Sequence, residues 1–195
     1  MTRSMVTLRA AEPADALALV DLWSDVVRRA DPQEQVADLE AVLARVGDNP
    51  DERIVVAEYD GDFAGAVHLQ VTTISPLNRE PIVCALAPHV LARFQRHGIG
   101  RQLMDAAVAW AEELGIVHVA TAAAASSRDG NRFMARLALG PYAVLRVAPT
   151  HAVRGRLTAG RRRVQGTGTS TGGRQLTQVL AARRSLRRAR AAAES

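Results

Sequence analysis

Lysine is missing from this chain of 195 residues: all 25 basic side chains are arginine. That excludes a phosphate-binding loop of the Walker type, which needs its lysine, and leaves no lysine of the protein's own to be acetylated. Cysteine occurs once, at Cys84, so no intrachain disulfide can form. Cys84 lies inside an apolar run, which marks it as a core residue rather than a nucleophile and suits a reducing cytoplasm. No apolar run reaches the roughly 18 residues that a membrane span needs. Arg3, Arg9, Glu12 and Asp15 interrupt the N-terminal apolar residues, which argues against a signal peptide. The expected location is cytoplasmic, with no membrane partner. There is no metal-ligand spacing and no nucleophile elbow, so no metal is expected.

What is present is unevenly divided. Residues 151–195 carry eleven arginines against one acid, Glu194, a net of +10. Residues 1–150 carry fourteen arginines against nineteen acids, a net of −5. The overall +5 therefore averages an acidic body with a basic tail. With 48% hydrophobic residues the body has enough apolar material for one packed domain. The expected organisation is a domain over residues 1–150 and an Arg-rich extension over 151–195.

Hydrophobic periodicity gives the elements. Val6 to Arg9 reads as a short strand. Pro13 opens a helical pattern with Ala16, Leu19, Val20, Trp23 and Val27 on one face. A second helix carries Val36, Leu39, Val42, Leu43 and Val46 and ends near Gly47. Arg53 to Tyr59 and Phe63 to Val71 read as strands joined through the turn Asp60-Gly61-Asp62. Pro76 and Pro81 bracket an expected loop, and Ile82 to Leu91 is the next strand, with a bulge expected at Pro88. A helix follows with Ile99, Leu103, Ala106, Ala107, Trp110 and Leu114 on one face, stopped by Gly115. Ile116 to Ala122 reads as a strand, Arg128 to Leu139 as a short helix and Tyr142 to Val147 as a last strand. Gly155 to Gly173 has a linker composition. Gln175 to Ala193 is helical in propensity, with a narrow apolar stripe among arginines. The tail could extend into solvent, or dock on the body, on a second subunit in a homodimer, or on an acidic partner. Nucleic acid is the less favoured partner, because the tail has no aromatic residue for base stacking.

Gln95-Arg96-His97-Gly98-Ile99-Gly100 is the richest segment. Two glycines spaced by one residue, at a strand-to-helix turn, let a backbone approach a phosphate closely. They also aim the first free N–H groups of the helix at that phosphate. Arg96 and Arg101 add formal charge beside it.

Gln95-x-x-Gly98-x-Gly100 resembles the acetyl-CoA signature of the GCN5-related N-acetyltransferase (GNAT) family: Gln or Arg, two residues, Gly, one residue, Gly or Ala. The order of elements from Val6 to Val147 is similar to that family's as well. The resemblance implies an α/β fold with a mixed six- or seven-stranded sheet and helices on both faces. It implies acetyl-CoA as acyl donor, with Val90 and Leu91 pairing with the pantetheine arm. Gln95, Arg96, His97, Gly98, Ile99, Gly100 and Arg101 would form the pyrophosphate cradle, and Asn131 would face the pantetheine. Transfer would be direct, from thioester to amine, with a backbone N–H near Val90 for the oxyanion.

The catalytic groups depart from the family pattern. The strand glutamate often used to deprotonate the amine has no counterpart in Leu86-Ala87-Pro88. Met134 stands where a tyrosine often protonates the leaving thiolate, and Ala138 stands where the family has a glycine. His89 is the nearest imidazole to the thioester position and the candidate base; the competing reading places it on the opposite face of its strand. His68 and Glu80 are further candidates at the cleft. The reading is thus an N-acetyltransferase acting on a primary amine of a small molecule or protein. The alternative is an acyl-CoA-binding regulatory module.

Overall fold

The structure, a computed structural model, describes residues 5–122, 127–143 and 145–166, with side chains as far as residue 159. The chain divides into two compact units, residues 1–140 and 141–195. In the first unit β1 (Val6–Ala10) leads to α1 (Ala16–Leu22) and α2 (Pro32–Gly47). There follow β2 (Glu52–Tyr59), β3 (Asp62–Ser75), β4 (Asn78–Val90), α3 (Ile99–Glu113), β5 (Val119–Thr121) and α4 (Arg128–Arg136). The strands lie in the order β1-β2-β3-β4-β5; β5 runs parallel to β4 and the other neighbours are antiparallel.

Side-chain alternation along the strands builds two cores. Val67, Leu69, Val83 and Ala85 face α3, which contributes Ile99, Leu103, Met104, Ala107 and Trp110. Ile54, Val56 and Ala66 face the other way, against Leu19, Trp23, Leu39 and Leu43 from α1, α2 and their connection. Helices thus cover both faces, as the sequence predicts.

Local chemistry sets the element ends. Asp60 and Gly61 have φ values of 52° and 90°, the left-handed pair that a two-residue hairpin turn requires. Asp31 caps α2 by accepting a hydrogen bond from Gln33 N–H at 2.9 Å, with Pro32 in the first helical position. At the end of α3, Gly115 takes φ 67° and the Ile116 N–H reaches back to the Ala111 carbonyl at 2.8 Å. Leu114, expected on the buried stripe, lies at this cap and is 48% exposed.

The sheet has five strands among the described residues, not six or seven. Two expectations fail to add strands. Of Ile116 to Ala122 only Val119–Thr121 pairs. In Tyr142 to Val147, residues 142, 143 and 145–147 form no strand. That stretch has strand propensity, but a strand is made by a paired neighbour, and β5 is only three residues long. The loop expected between Pro76 and Pro81 is also absent: β3 and β4 run on to a tight turn at Pro76-Leu77, with Ser75 opposite Asn78. Pro81 sits inside β4 without loss. The Val83 N–H points toward β5, where it bonds His118 O at 3.0 Å, so position 81 faces the same edge, ahead of the first β5 pair.

In the second unit α5 spans Thr150–Gly166 and overlaps the first part of the linker expected over Gly155 to Gly173. Arginine, alanine and leucine are good helix formers, and they outweigh Gly155 and Gly160 there. The helix expected over Gln175 to Ala193 lies outside the described residues.

Candidate active site

The bulge expected at Pro88 exists and shapes everything around it. Ala66 pairs with His89 and His68 with Leu86, so Ala87 and Pro88 together oppose Val67 alone. Ala87 takes φ 44°, a left-handed conformation costly for a residue with a Cβ. Its carbonyl is held by the Trp23 indole N–H at 2.8 Å. Trp23, read from sequence only as core, therefore also pins the bulge. Gly65 is a second contributor: a Cβ there would lie 2.5 Å from the His89 carbonyl oxygen. An isolated glycine inside a strand pattern is the sequence signal for such close approach.

Beyond the bulge β4 has no partner on its β5 side among the described residues, because β5 pairs only with Val83, Cys84 and Ala85. The Leu91 N–H bonds Ala64 O at 2.9 Å on the β3 side, so strand alternation turns the Val90 N–H toward the open side. The edge from Leu86 to Val90 is thus available for an extended ligand to pair with.

The chain then turns through Ala92–Phe94 and the glycine segment into α3. Arg96 has φ 68° and Gly98, the N-cap of α3, has φ 82°. The Gly98 carbonyl accepts from the Arg101 and Gln102 N–H groups at 3.0 and 3.1 Å. Ile99 and Gly100 occupy the first helical positions, where N–H groups have no helix carbonyl to bond. Nothing lies within 4 Å of a Cβ built on Gly98, so the space beside the helix cap is open. His97 packs edge-on to Tyr59 with ring centroids 4.7 Å apart, and its Nδ1 sits 2.9 Å from the Gln95 carbonyl.

A Cβ on Gly100 would meet Phe133 at 3.5 Å and Val90 at 3.9 Å. The end of β4, the start of α3 and α4 therefore meet at one point. Ser127 caps α4 by accepting from the Gly130 N–H at 3.1 Å, and Asn131 follows in the first turn, its Nδ2 donating to Ser127 O at 2.6 Å. The cofactor residues singled out from the sequence, Val90 to Arg101 with Asn131, are borne by these adjoining elements.

The face of β4 toward α1 and α2 carries the titratable groups. His89 is 35% exposed there; its Nδ1 lies 3.1 Å from the Ala87 carbonyl and its Nε2 3.5 Å from Asp25. His68 is largely buried, with Nε2 3.4 Å from Glu52, a charge-pair distance without hydrogen-bond geometry. Burial holds the His68 imidazole below its usual value, against the opposing pull of Glu52. Burial by itself would raise Glu52, but Arg45 and His68 outweigh it and hold the carboxyl below the usual range. Gln70 also donates to Glu52 at 3.1 Å. Burial pushes the thiol of the half-buried Cys84 up, which disfavours the reactive thiolate. Glu80 sits apart, 3.5 Å from His118. Among the described residues no cluster of three or more His, Cys, Asp or Glu could hold a metal. A cavity of about 400 Å³ between β1, the end of α2 and the start of β2 shares no residue with the glycine turn.

The sequence model of the acetyltransferase (GNAT) family matches residues 17–139. The chain belongs to this family. No curated protein matches it in sequence. Solved structures agree on the GNAT fold at low identity. A transcriptional regulator from Bacillus halodurans C-125 superposes with a TM-score of 0.62 at 16% identity, over 74% of this chain and 100% of its own. Glucosamine-6-phosphate N-acetyltransferase from Arabidopsis thaliana gives 0.61 at 13% identity, over 75% and 99%. The aminoglycoside N-acetyltransferase AAC(6′)-Iy, in complex with CoA, gives 0.59 at 19% identity, over 76% and 96%. Among the described residues of this GNAT chain, no helix is long and apolar enough to cross a membrane.

Proposed function

We propose that the protein is an acetyl-CoA-dependent N-acetyltransferase acting on a primary amine of a small molecule or protein. The observation that carries this reading is the junction itself: an open β4 edge running into a helix N-terminus whose cap, Gly98, leaves its surroundings clear. An anion at such a terminus gains about 0.3–2 kcal/mol from the helix dipole. The N–H groups from Gln95 to Arg101 would receive the pyrophosphate, with Arg96 and Arg101 supplying formal charge. The backbone of Val90 and Leu91 would pair with the pantetheine arm, and Asn131 would face it from α4. When bound, acetyl-CoA supplies an acetyl group activated as a thioester. The Val90 N–H, turned to the open side, would donate to the acyl oxygen. His89 stands where the acceptor would enter, on the α1/α2 face, and the surplus of acids in the first unit favours a cationic amine.

Met134 and the acid-free Leu86-Ala87-Pro88 favour a second reading, an acyl-CoA-binding module with little transfer. One experiment separates the two. Melting is followed with acetyl-CoA and with CoA, and thiol release is then measured against a panel of primary amines. Stabilisation with turnover is the expected result; stabilisation without turnover supports the binding module. No stabilisation by either ligand sinks the cofactor site.

A further inference from the structure

On the α1/α2 face the bulge of β4 is bracketed by two imidazoles. His68 stands opposite Leu86 on one side of it, and His89 opposite Ala66 on the other. Each has a carboxylate beside its Nε2, Glu52 for His68 and Asp25 for His89. The two differ at the other nitrogen. In His89 both nitrogens face oxygen acceptors, the Ala87 carbonyl and the Asp25 carboxylate. With its proton donated from Nδ1 to the Ala87 carbonyl, the ring has its lone pair at Nε2 turned to the Asp25 carboxylate rather than to an incoming amine. In His68 only Nε2 faces an acceptor, Glu52 at 3.4 Å and without a hydrogen bond, and Nδ1 makes no hydrogen bond among the described residues.

Resting on the transferase reading above, we propose that His68 is the general base of this enzyme, with Glu52 as its positioning residue. Glu52 lies 5% exposed beside Nε2 of the ring, braced by Arg45 from α2 and by Gln70, its cross-strand neighbour on β3. A carboxylate 3.4 Å from Nε2 attracts the ring proton to that nitrogen and leaves the lone pair on Nδ1, as in a carboxylate–imidazole pair whose hydrogen bond tightens once substrate is bound. Leu86, opposite His68, begins the open edge of β4, and Val90, opposite Gly65, ends it. His68 is three residues from Gly65, roughly 10 Å of strand at 3.3 Å per residue. The amine and one relaying water would span that separation to the Val90 N–H.

The step balances without another reactant. Nδ1 of His68 takes a proton from the ammonium, and the freed amine nitrogen forms the new C–N bond as the C–S bond breaks. The second proton of the attacking nitrogen neutralises the leaving thiolate, and His68 returns its own proton to water. The neutral ring this requires at neutral pH is in keeping with the burial of His68. The charged and titratable groups facing the ring are Glu52 from β2 and Arg45 from α2.

The first test needs no acceptor. Imidazole ¹H–¹⁵N correlation spectra of the full chain are expected to show His68 as the Nε2–H tautomer, neutral at pH 7, titrating below the ordinary imidazole value. An Nδ1–H tautomer or an imidazolium at pH 7 overturns the proposal. The second test compares thiol release by wild type, His68→Gln, His89→Gln and Glu52→Gln against primary amines that include an aminoglycoside and glucosamine 6-phosphate. His68→Gln is expected to lose about 10²–10⁴ in kcat while keeping its thermal shift with acetyl-CoA. Glu52→Gln is expected to move the acid limb of the rate profile to lower pH, because the carboxylate holds the His68 proton affinity up. Should His68→Gln fail to fold, the displaced limb in Glu52→Gln and the wild-type tautomer decide. Turnover within threefold of wild type in His68→Gln overturns the base assignment alone. Absence of an acetyl-CoA shift in wild type overturns the cofactor reading, and this proposal with it.

Discussion

Three glycines near the site differ in what their backbone requires, and substitution separates them. Gly65 provides clearance: with a Cβ placed 2.5 Å from the His89 carbonyl, Gly65→Ala must push β4 away. The expected cost is about 1–3 kcal/mol, as for overpacking elsewhere, read from the urea midpoint, with a weakened acetyl-CoA thermal shift. Gly98 provides a left-handed φ of 82° and an unobstructed surface. Gly98→Val is expected to cost about 1–2 kcal/mol in backbone strain and to abolish the ligand shift. Gly100 provides neither. A methyl there meets Phe133 at an ordinary 3.5 Å, so Gly100→Ala is expected to keep both stability and ligand shift. A Gly100→Ala variant as damaged as Gly98→Val would show that the close approach extends to the second glycine.

At the scale of elements, the strained strand depends on a helix. Trp23, just beyond α1, supplies the donor that satisfies the Ala87 carbonyl inside the bulge. Trp23→Phe keeps most of the apolar bulk and leaves that carbonyl without its partner, at an expected cost of about 1–3 kcal/mol in chemical denaturation. A second tie joins β1 to the turn before α1. Arg9 makes two hydrogen bonds to Asp15, at 2.7 and 2.8 Å, and one to Glu58 at 2.6 Å. The hydrogen bond from Arg9 lowers the Asp15 pKa, so the stabilisation is present above the ordinary carboxylate range and is lost as pH falls through the depressed value. Glu52 is also lowered, and the lowered His68 acts in the same direction, since an unfolded chain takes up those protons more readily. Arg9→Met is therefore expected to be less stable than wild type at pH 7 by about 1–2 kcal/mol, a figure reduced because Arg9 is one third exposed. The gap should close as Asp15 becomes protonated; melting curves from pH 7 to pH 3 would show it, and a constant gap would assign the effect to packing.

The sequence legibility of these elements follows how local their causes are. The Asp60-Gly61 turn and the glycine turn that opens α3 are written in neighbouring residues and were readable. The bulge was readable because Pro88 cannot donate. The continuous β3–β4 hairpin was not, because Pro81 is harmless only on an edge that β5 has not yet reached, a fact of tertiary pairing. Nor was the pairing of His68 with Glu52, since adjacent strands bring the two together across a sequence gap of sixteen residues.

For the whole molecule, charge and architecture divide together. Residues 1–140 hold thirteen arginines against nineteen acids, and residues 141–195 hold twelve against one. The parts proposed for acetyl-CoA binding all fall in the first unit. Residues 1–140 alone are expected to unfold cooperatively and to retain the acetyl-CoA shift. A folded fragment that has lost the shift would assign part of the site to residues 141–195.

The two prolines of β4 have one more consequence. By the alternation that turns the Val90 N–H outward, Pro88 occupies a donor position on the bare stretch beyond β5, as Pro81 does on the stretch ahead of it. An uncovered strand normally invites intermolecular sheet growth and aggregation. Here another polypeptide laid along either bare stretch would find a donor missing from its ladder. A slender ligand that asks for one or two hydrogen bonds near Val90 would find what it needs. The imino acid that keeps this opening from recruiting further protein leaves it fit for a narrow, non-peptide chain.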